Sequence, residues 1–216
     1  MAEAERGSSR LVDRFRLVGG DPALDFLNTR DGRWLPEAEV QEALEEYGDL
    51  LRFARRTGLL EEGAISSLEE AARRDAQGAR EALRRAREVR ERLARILGAL
   101  VAGEAPDLRD REGFQRDRLD LEAQRRLDFG PEGTTWAWED PAGLDRPLRE
   151  VLCRILALLA SPLGRLRRCE APDCDWFFLD RSRNGTRRWC SMETCGNRAK
   201  ARRHYERGRK TAGGEG

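Results

Sequence analysis

The feature that most limits how this chain can fold is the spacing of its cysteines. Four of the five fall in one stretch, CEAPDCDWFFLDRSRNGTRRWCSMETC, as two pairs: Cys169 with Cys174, and Cys190 with Cys195. Four residues lie inside each pair and fifteen lie between the pairs. A Zn²⁺ ion takes four thiolates tetrahedrally at about 2.3 Å, so a structural site must bring four sulfurs to one point. Each short pair can form a tight knuckle offering two sulfurs, and the longer gap holds a hairpin that joins the knuckles. Two disulfides would need an oxidising compartment, and nothing in the sequence points to one. Four unrelated thiols would not recur as two equal pairs. The pattern favours one structural zinc site.

The residues between the cysteines give the local order. Arg165 to Cys169 reads as a strand, Glu170 to Asp173 as the first knuckle turn, and Trp176 to Leu179 as a second strand. DRSRNG is a loop whose Asn184-Gly185 is a strong turn dipeptide. A helix is expected to begin at Cys195. Knuckle, hairpin and helix in this order make a treble-clef-like module. Trp176 and Trp189 are expected as its miniature core, and Asp180 as a cap or an orienter of a loop arginine. Four thiolates on Zn²⁺ leave a net charge of about −2, which a helix start and nearby arginines can offset.

These residues also carry a resemblance. CEAPDCDWFFLDRSRNGTRRWCSMETCGNRAKARRHYER is similar to the CGNR zinc-finger family, whose namesake tetrapeptide stands here as Cys195, Gly196, Asn197 and Arg198. The amino-terminal LVGGDPALDFLNTR resembles the ABATE domain that precedes such a finger. The resemblance implies a stress-induced transcription regulator with a zinc-bound, DNA-binding module.

Charge supports a polyanion partner for that module. From Arg165 to Lys210 there are 14 Lys and Arg against 6 Asp and Glu, a net of +8. The rest of the chain holds 27 basic and 34 acidic residues, a net of −7. Arginine is used everywhere, since only Lys200 and Lys210 are lysines, so the local excess matters more than the total. The candidate contacts are Arg181, Arg183, Arg187 and Arg188 on the loop, and Arg198, Lys200, Arg202 and Arg203 on the helix. Arginine can contact guanine edges or phosphate in bidentate fashion.

Ahead of the module the chain reads as a mainly helical α+β domain with a few short strands, over 11–161; the zinc module covers 165–210. FRLVGG is expected as a strand ending in a glycine turn. Asp21-Pro22 has the chemistry of a helix start, carrying Asp25, Asn28 and Thr29 on one side. A small-ligand pocket at this turn is one reading, and plain capping is the favoured one. Arg30 to Glu39 reads as a loop. Helical periodicity then runs from Val40 to Gly58, near Glu61 to Asp75, and from Ala79 to Val101. The Arg/Glu face of that third helix reads as solvated. The charged run from Asp107 is weakly patterned. LDFG and TTWAWED predict a hairpin, with Trp136 and Trp138 on one face as core. Pro141 to Ser161 is the most apolar helix, with Cys153 as a buried free thiol, and Ser161-Pro162-Leu163-Gly164 closes the domain.

Several function classes follow from this. The leading expectation is a DNA-binding regulator on duplex DNA, with room for a small-molecule effector at the amino-terminal domain and for a homodimer. Alternatives are an RNA-binding or ribosome-associated zinc protein, and a protein-interaction adaptor. An enzyme is not expected: His204 is the single histidine, and a four-thiolate site has no open position for water. The start, MAEAERGSSR, lacks an apolar signal segment. VLCRILALLA is too short to span a membrane, so a soluble cytoplasmic protein is expected.

Overall fold

The structure, a computed structural model, describes residues 10–212 apart from the side chains of Ala38 and 206–212. A single helical turn, α1 (Leu11–Arg14), precedes the Asp21-Pro22 start of α2 (Pro22–Asn28). The Asp21 carboxylate accepts from Ala23 N at 2.9 Å and Pro22 occupies the first turn, where its missing N–H costs nothing. FRLVGG does not form the expected strand. Its backbone is diverted locally: Gly19 N donates to the Asp25 side chain at 2.7 Å, and Gly20 turns the chain at φ +76°. The glycine turn is therefore filled by the protein's own carboxylate. Every residue from Ala23 to Asn28 is buried.

The expected loop Arg30 to Glu39 opens with β1 (Arg30–Asp31), which pairs antiparallel with β2 (Gln41–Glu42), a strand in the stretch expected to be helical. The next helix, α3 (Tyr47–Thr57), starts later than Val40. The buried Asp49 carboxylate sets that start by accepting from Glu45 N and Glu46 N, each at 2.9 Å. Gly58, at φ +66°, ends α3 in a left-handed cap.

After α4 (Glu62–Arg74) comes α5 (Ala76–Ala102), the 27-residue axis of the fold. Its apolar stripe buries Leu83, Ala86, Val89, Leu93, Ile96 and Leu97. The Arg/Glu face is solvated around Arg84, which pairs with Glu81 and Glu88. Arg90 departs from that reading. It is fully buried and donates to Glu42 Oε1 at 2.7 Å, Glu91 Oε1 at 2.8 Å and Thr29 Oγ1 at 2.9 Å. The weakly patterned run forms α6 (Leu108–Glu122), fastened to α5 by Arg95–Asp110 at 2.7 Å and by Arg92–Asp117. Arg95 holds the Asp110 carboxyl below the usual range, chiefly through this hydrogen bond.

The predicted hairpin is β3 (Arg125–Gly130) with β4 (Gly133–Trp138), turning at Pro131-Glu132. Trp138 is half-buried and donates to Glu150 at 3.0 Å. Trp136 is not core: it lies exposed beneath the Arg125 guanidinium, 4.2 Å from its carbon to the ring centre. The final body helix, α7 (Arg146–Leu159), begins after Pro141 because Pro147 tolerates only the first helical turn. Leu148, Val151, Leu152 and Ile155 are buried on it, while Cys153 is half-buried. Helix α7 packs on α2, α3 and α6. Among the described residues, no helix is long and apolar enough to cross a membrane.

Candidate metal centre

The last part of the chain forms two short antiparallel strands, β5 (Leu166–Arg168) and β6 (Phe177–Leu179), with Arg167 opposite Phe178. Cys169 leaves β5 into the first knuckle, where Cys174 N donates back to Ala171 O at 3.1 Å. Cys190 and Cys195 bracket the second turn. Met192–Gly196 winds as one π-helical turn, and α8 (Asn197–Ala212) continues from it. The helix proper thus starts two residues after Cys195, with Cys195 held in the preceding turn.

All four cysteines are buried and their sulfurs lie within 4.8 Å of one another. Sγ of Cys190 is 3.7 Å from that of Cys174 and 3.5 Å from that of Cys195. Thiolates placed tetrahedrally around one Zn²⁺ would sit about 3.8 Å apart, given a metal–sulfur distance of about 2.3 Å. These contacts are far too long for disulfide bonds. Crowding perturbs the sulfurs in opposite directions. Hydrogen bonds from Cys174 and Cys190 pull the Cys169 thiol down, and the contact with Cys169 pushes both Cys174 and Cys190 up. Four such groups need either shared protons or a shared cation. Two donors already address them: Cys190 N lies 3.4 Å from Cys169 Sγ, and Arg198 Nη2 lies 3.1 Å from Cys195 Sγ. The donor set fits a structural metal ion of the zinc type.

The loop arginines are largely committed to the module itself. The Asp180 carboxylate accepts from Ser182 N at 2.9 Å, Ser182 Oγ at 2.5 Å and Arg187 N at 2.9 Å, closing DRSRNG into a ring. These contacts, the Ser182 hydroxyl foremost, hold its carboxyl below the usual range. Arg187 is half-buried, donates to Trp189 O at 2.9 Å and to Cys190 O, and covers the Phe178 ring. Arg181 donates to Gly20 O and Arg188 pairs with Glu170, each at 2.5 Å. Arg198 and Arg202 both reach Asp173 at 3.3 Å. Arg203 is exposed and, among the described residues, bonds to Ala199 O, at 3.4 Å, one turn back on its own helix. Arg183 and Lys200 are exposed, with no hydrogen-bond or ion-pair partner among the described residues.

The opposite side of the module is locked to the helical body. Asn28 Nδ2 donates to Phe177 O at 2.9 Å, and Phe177 N donates to Asn28 Oδ1 at 2.8 Å. Leu179 N donates to Gly19 O at 2.8 Å. Arg33 joins Glu91 on α5, at 2.9 Å, to the buried Asp175, at 3.3 Å from its N–H. Phe15 meets Trp176 edge to face at 5.3 Å, and Leu166 and Phe177 belong to the body's own core. Trp176 and Trp189 pack against the smaller cluster around the cysteines. The clasp residues Asn28, Arg33 and Asp175 carry no spacing signal; only Asn28 was marked out, by its position on the Asp25 side of α2.

Comparison with protein families matches 165–208 to the CGNR zinc finger. It matches 20–162 to the ABATE family, described as "Putative stress-induced transcription regulator". The chain belongs to the ABATE family. The two matches follow in the order that the amino-terminal and cysteine motifs suggest. No curated protein matches the chain. The amino-terminal motif LVGGDPALDFLNTR is thereby given a physical role: its PALDFLN part is the buried helix α2, whose last residue, Asn28, holds the module through Phe177.

Proposed function

We propose that the protein regulates transcription by binding duplex DNA through its zinc module, which the ABATE domain holds in a fixed pose. The observation that carries this reading is the one-sided use of the module. Its inner side is consumed by the clasp on α2, while a net charge of +8 is concentrated between Arg165 and Lys210. Arg183, Lys200 and Arg203 are exposed and, among the described residues, have no acidic partner. Lys200 and Arg203 lie three apart on α8 and so share a face. They supply the phosphate contacts, with Arg188 and Arg181 at the edge. Arg198 and Arg202 serve the metal centre and Asp173 first.

In this reading the protein is cytoplasmic and not an enzyme: the metal is saturated by thiolates, and His204 lies exposed on α8. A cavity of about 210 Å³ between the body and the module, bordered by Phe15, Asn28, Asp31 and Trp176, would take a small-molecule effector.

The test is equilibrium binding of the zinc-loaded full chain to a random duplex pool and to structured RNA, across a salt series. The variant Arg183→Ala/Lys200→Ala/Arg203→Ala should lose affinity uniformly. Its plot of log K against log salt should flatten by about 0.9 for each lost phosphate contact. An unchanged slope removes these residues from the interface. Preference for RNA favours an RNA-binding protein, and loss of all binding near physiological salt favours an adaptor.

A further inference from the structure

Among the described residues, the hairpin carries the most exposed large apolar side chain and turns an apolar face outward. Phe129 is 82% exposed, Trp136 59% and Leu127 41%. The register sets Leu127 opposite Trp136 and Phe129 opposite Thr134, so all three large side chains share one face of a two-stranded sheet. An isolated two-stranded hairpin is at best marginally stable in water. Strand β3 also has an open edge, with Arg126 to Gly130 exposed and no proline within it. Such an edge is a ready template for another strand.

Which backbone groups the edge offers follows from the ladder. Glu139 N donates to Gln124 O at 2.9 Å, so residue 124 is bonded across the hairpin. In an antiparallel pair the bonded positions alternate. Arg126, Asp128 and Gly130 therefore bond to β4, and Arg125, Leu127 and Phe129 aim their N–H and C=O groups at the open edge. An added antiparallel strand must meet those three.

The strand is complementary to itself in one register. Two copies of β3 related by a two-fold axis at residue 126 would set Arg126 against Arg126. An axis at 128 would set Asp128 against Asp128. Like charges directly opposite destabilise a sheet pair. An axis at Leu127 sets Arg126 against Asp128 of the second copy, twice over. It also places Arg125 beside Phe129 of the second copy, a guanidinium against an exposed ring. Self-complementarity of this kind is what a two-fold interface requires.

We infer that the chain self-associates through β3, pairing antiparallel with a second copy about a two-fold axis at Leu127 to form one four-stranded sheet. The partner is another copy of this protein, and the inference is independent of any nucleic-acid binding. Edge pairing covers less than the roughly 800 Å² per partner of a standard stable interface, so the dimer is concentration-dependent.

Cross-linking and charge exchange test it in the zinc-loaded full chain, in a Cys153→Ser background. Leu127→Cys puts two thiols at the axis, on residues whose Cα atoms would be about 5.5 Å apart, within disulfide reach. Mild oxidation should convert it to a covalent dimer, while Thr135→Cys on β4 stays monomeric. By sedimentation equilibrium, Arg126→Asp should weaken the dimer about tenfold, from two lost cross-strand pairs. Arg126→Asp/Asp128→Arg should restore it. A monomer at every concentration, equal cross-linking at Thr135→Cys, or failure of the double exchange to rescue would overturn the inference. Circular dichroism confirms that each variant is folded.

Discussion

The helical body and the zinc module are held together by different physics. The body buries a continuous apolar core along α5 and trims its edges with arginine–carboxylate pairs. The module has six buried residues in its own cluster, four of them the cysteines of the candidate metal centre. So few side chains cannot supply a core, and in such small units metal binding is folding free energy. The body can lose any one contact and weaken by degrees. A module of this size built on a metal site is expected to fold all or none with the ion. The seam between them combines both kinds of contact: Asn28 meets the backbone of Phe177, while Leu166, Phe177 and Trp176 pack on the body's apolar core.

The largest expected effect probes the module. Cys174→Ser or Cys190→Ser should abolish the zinc content of about one per chain, removing on the order of 10 kcal/mol of metal-linked folding free energy. Most helical circular dichroism should survive, because α3 to α7 do not depend on the metal; collapse of the helices would make the two regions one cooperative unit. Next is the body. Arg90→Ala removes the buried guanidinium that pairs with Glu42, while Glu91 keeps Arg33, and should cost about 3 kcal/mol by denaturant unfolding. The zinc content should stay unchanged, and its loss would show that core and module are coupled.

The seam comes third. Asn28→Leu strips the partners from both buried backbone groups of Phe177, at a cost of about 3 kcal/mol. Amide exchange should rise at Phe177 and Leu179 first, before α5 is affected; uniform acceleration would refute a local clasp. The smallest effect is a matter of protons. Burial raises the Asp25 carboxyl to about 6 from its ordinary value near 3.8. The folded state then binds more protons than the unfolded chain between those values, so this group's contribution falls as pH rises from about 4 to 6. Asp25→Asn removes that slope. Its stability relative to the parent should be greater at pH 7 than at pH 4 by roughly 2 kcal/mol, and an equal difference at both would show that Asp25 does not titrate.

Much of this molecule is legible in the sequence because it is locally determined. The Asp21-Pro22 start, the Gly58 stop, the stripe on α5, the Pro131-Glu132 turn and the paired cysteines each depend on neighbours a few residues away. The misreadings share a cause. FRLVGG has strand-like composition, but a carboxylate six residues on takes its amide. Arg90 sits in a run that looks solvated, and only the approach of Glu42 from β2 makes its burial tolerable. Trp136 looks like core because it alternates with Trp138, yet it stays 59% exposed, with the Arg125 guanidinium over its ring instead of an apolar neighbour. The arginines were the hardest to read. Sequence composition cannot separate Arg187, which braces the Cys190 carbonyl, from Arg183, which is exposed and has no hydrogen-bond or ion-pair partner among the described residues.

The Asn28–Phe177 clasp spans 149 residues of sequence, and this has a consequence for synthesis. At about 5–20 residues per second, Asn28 emerges from the ribosome roughly seven to thirty seconds before its partner strand exists. Through that interval α2 can pack on α5 and then on α7, but the side reserved for β6 stays bare. The carboxy-terminal module is therefore the closing piece of the nascent protein. A chain truncated before Phe177 would leave a polar amide and an apolar seam open to its surroundings.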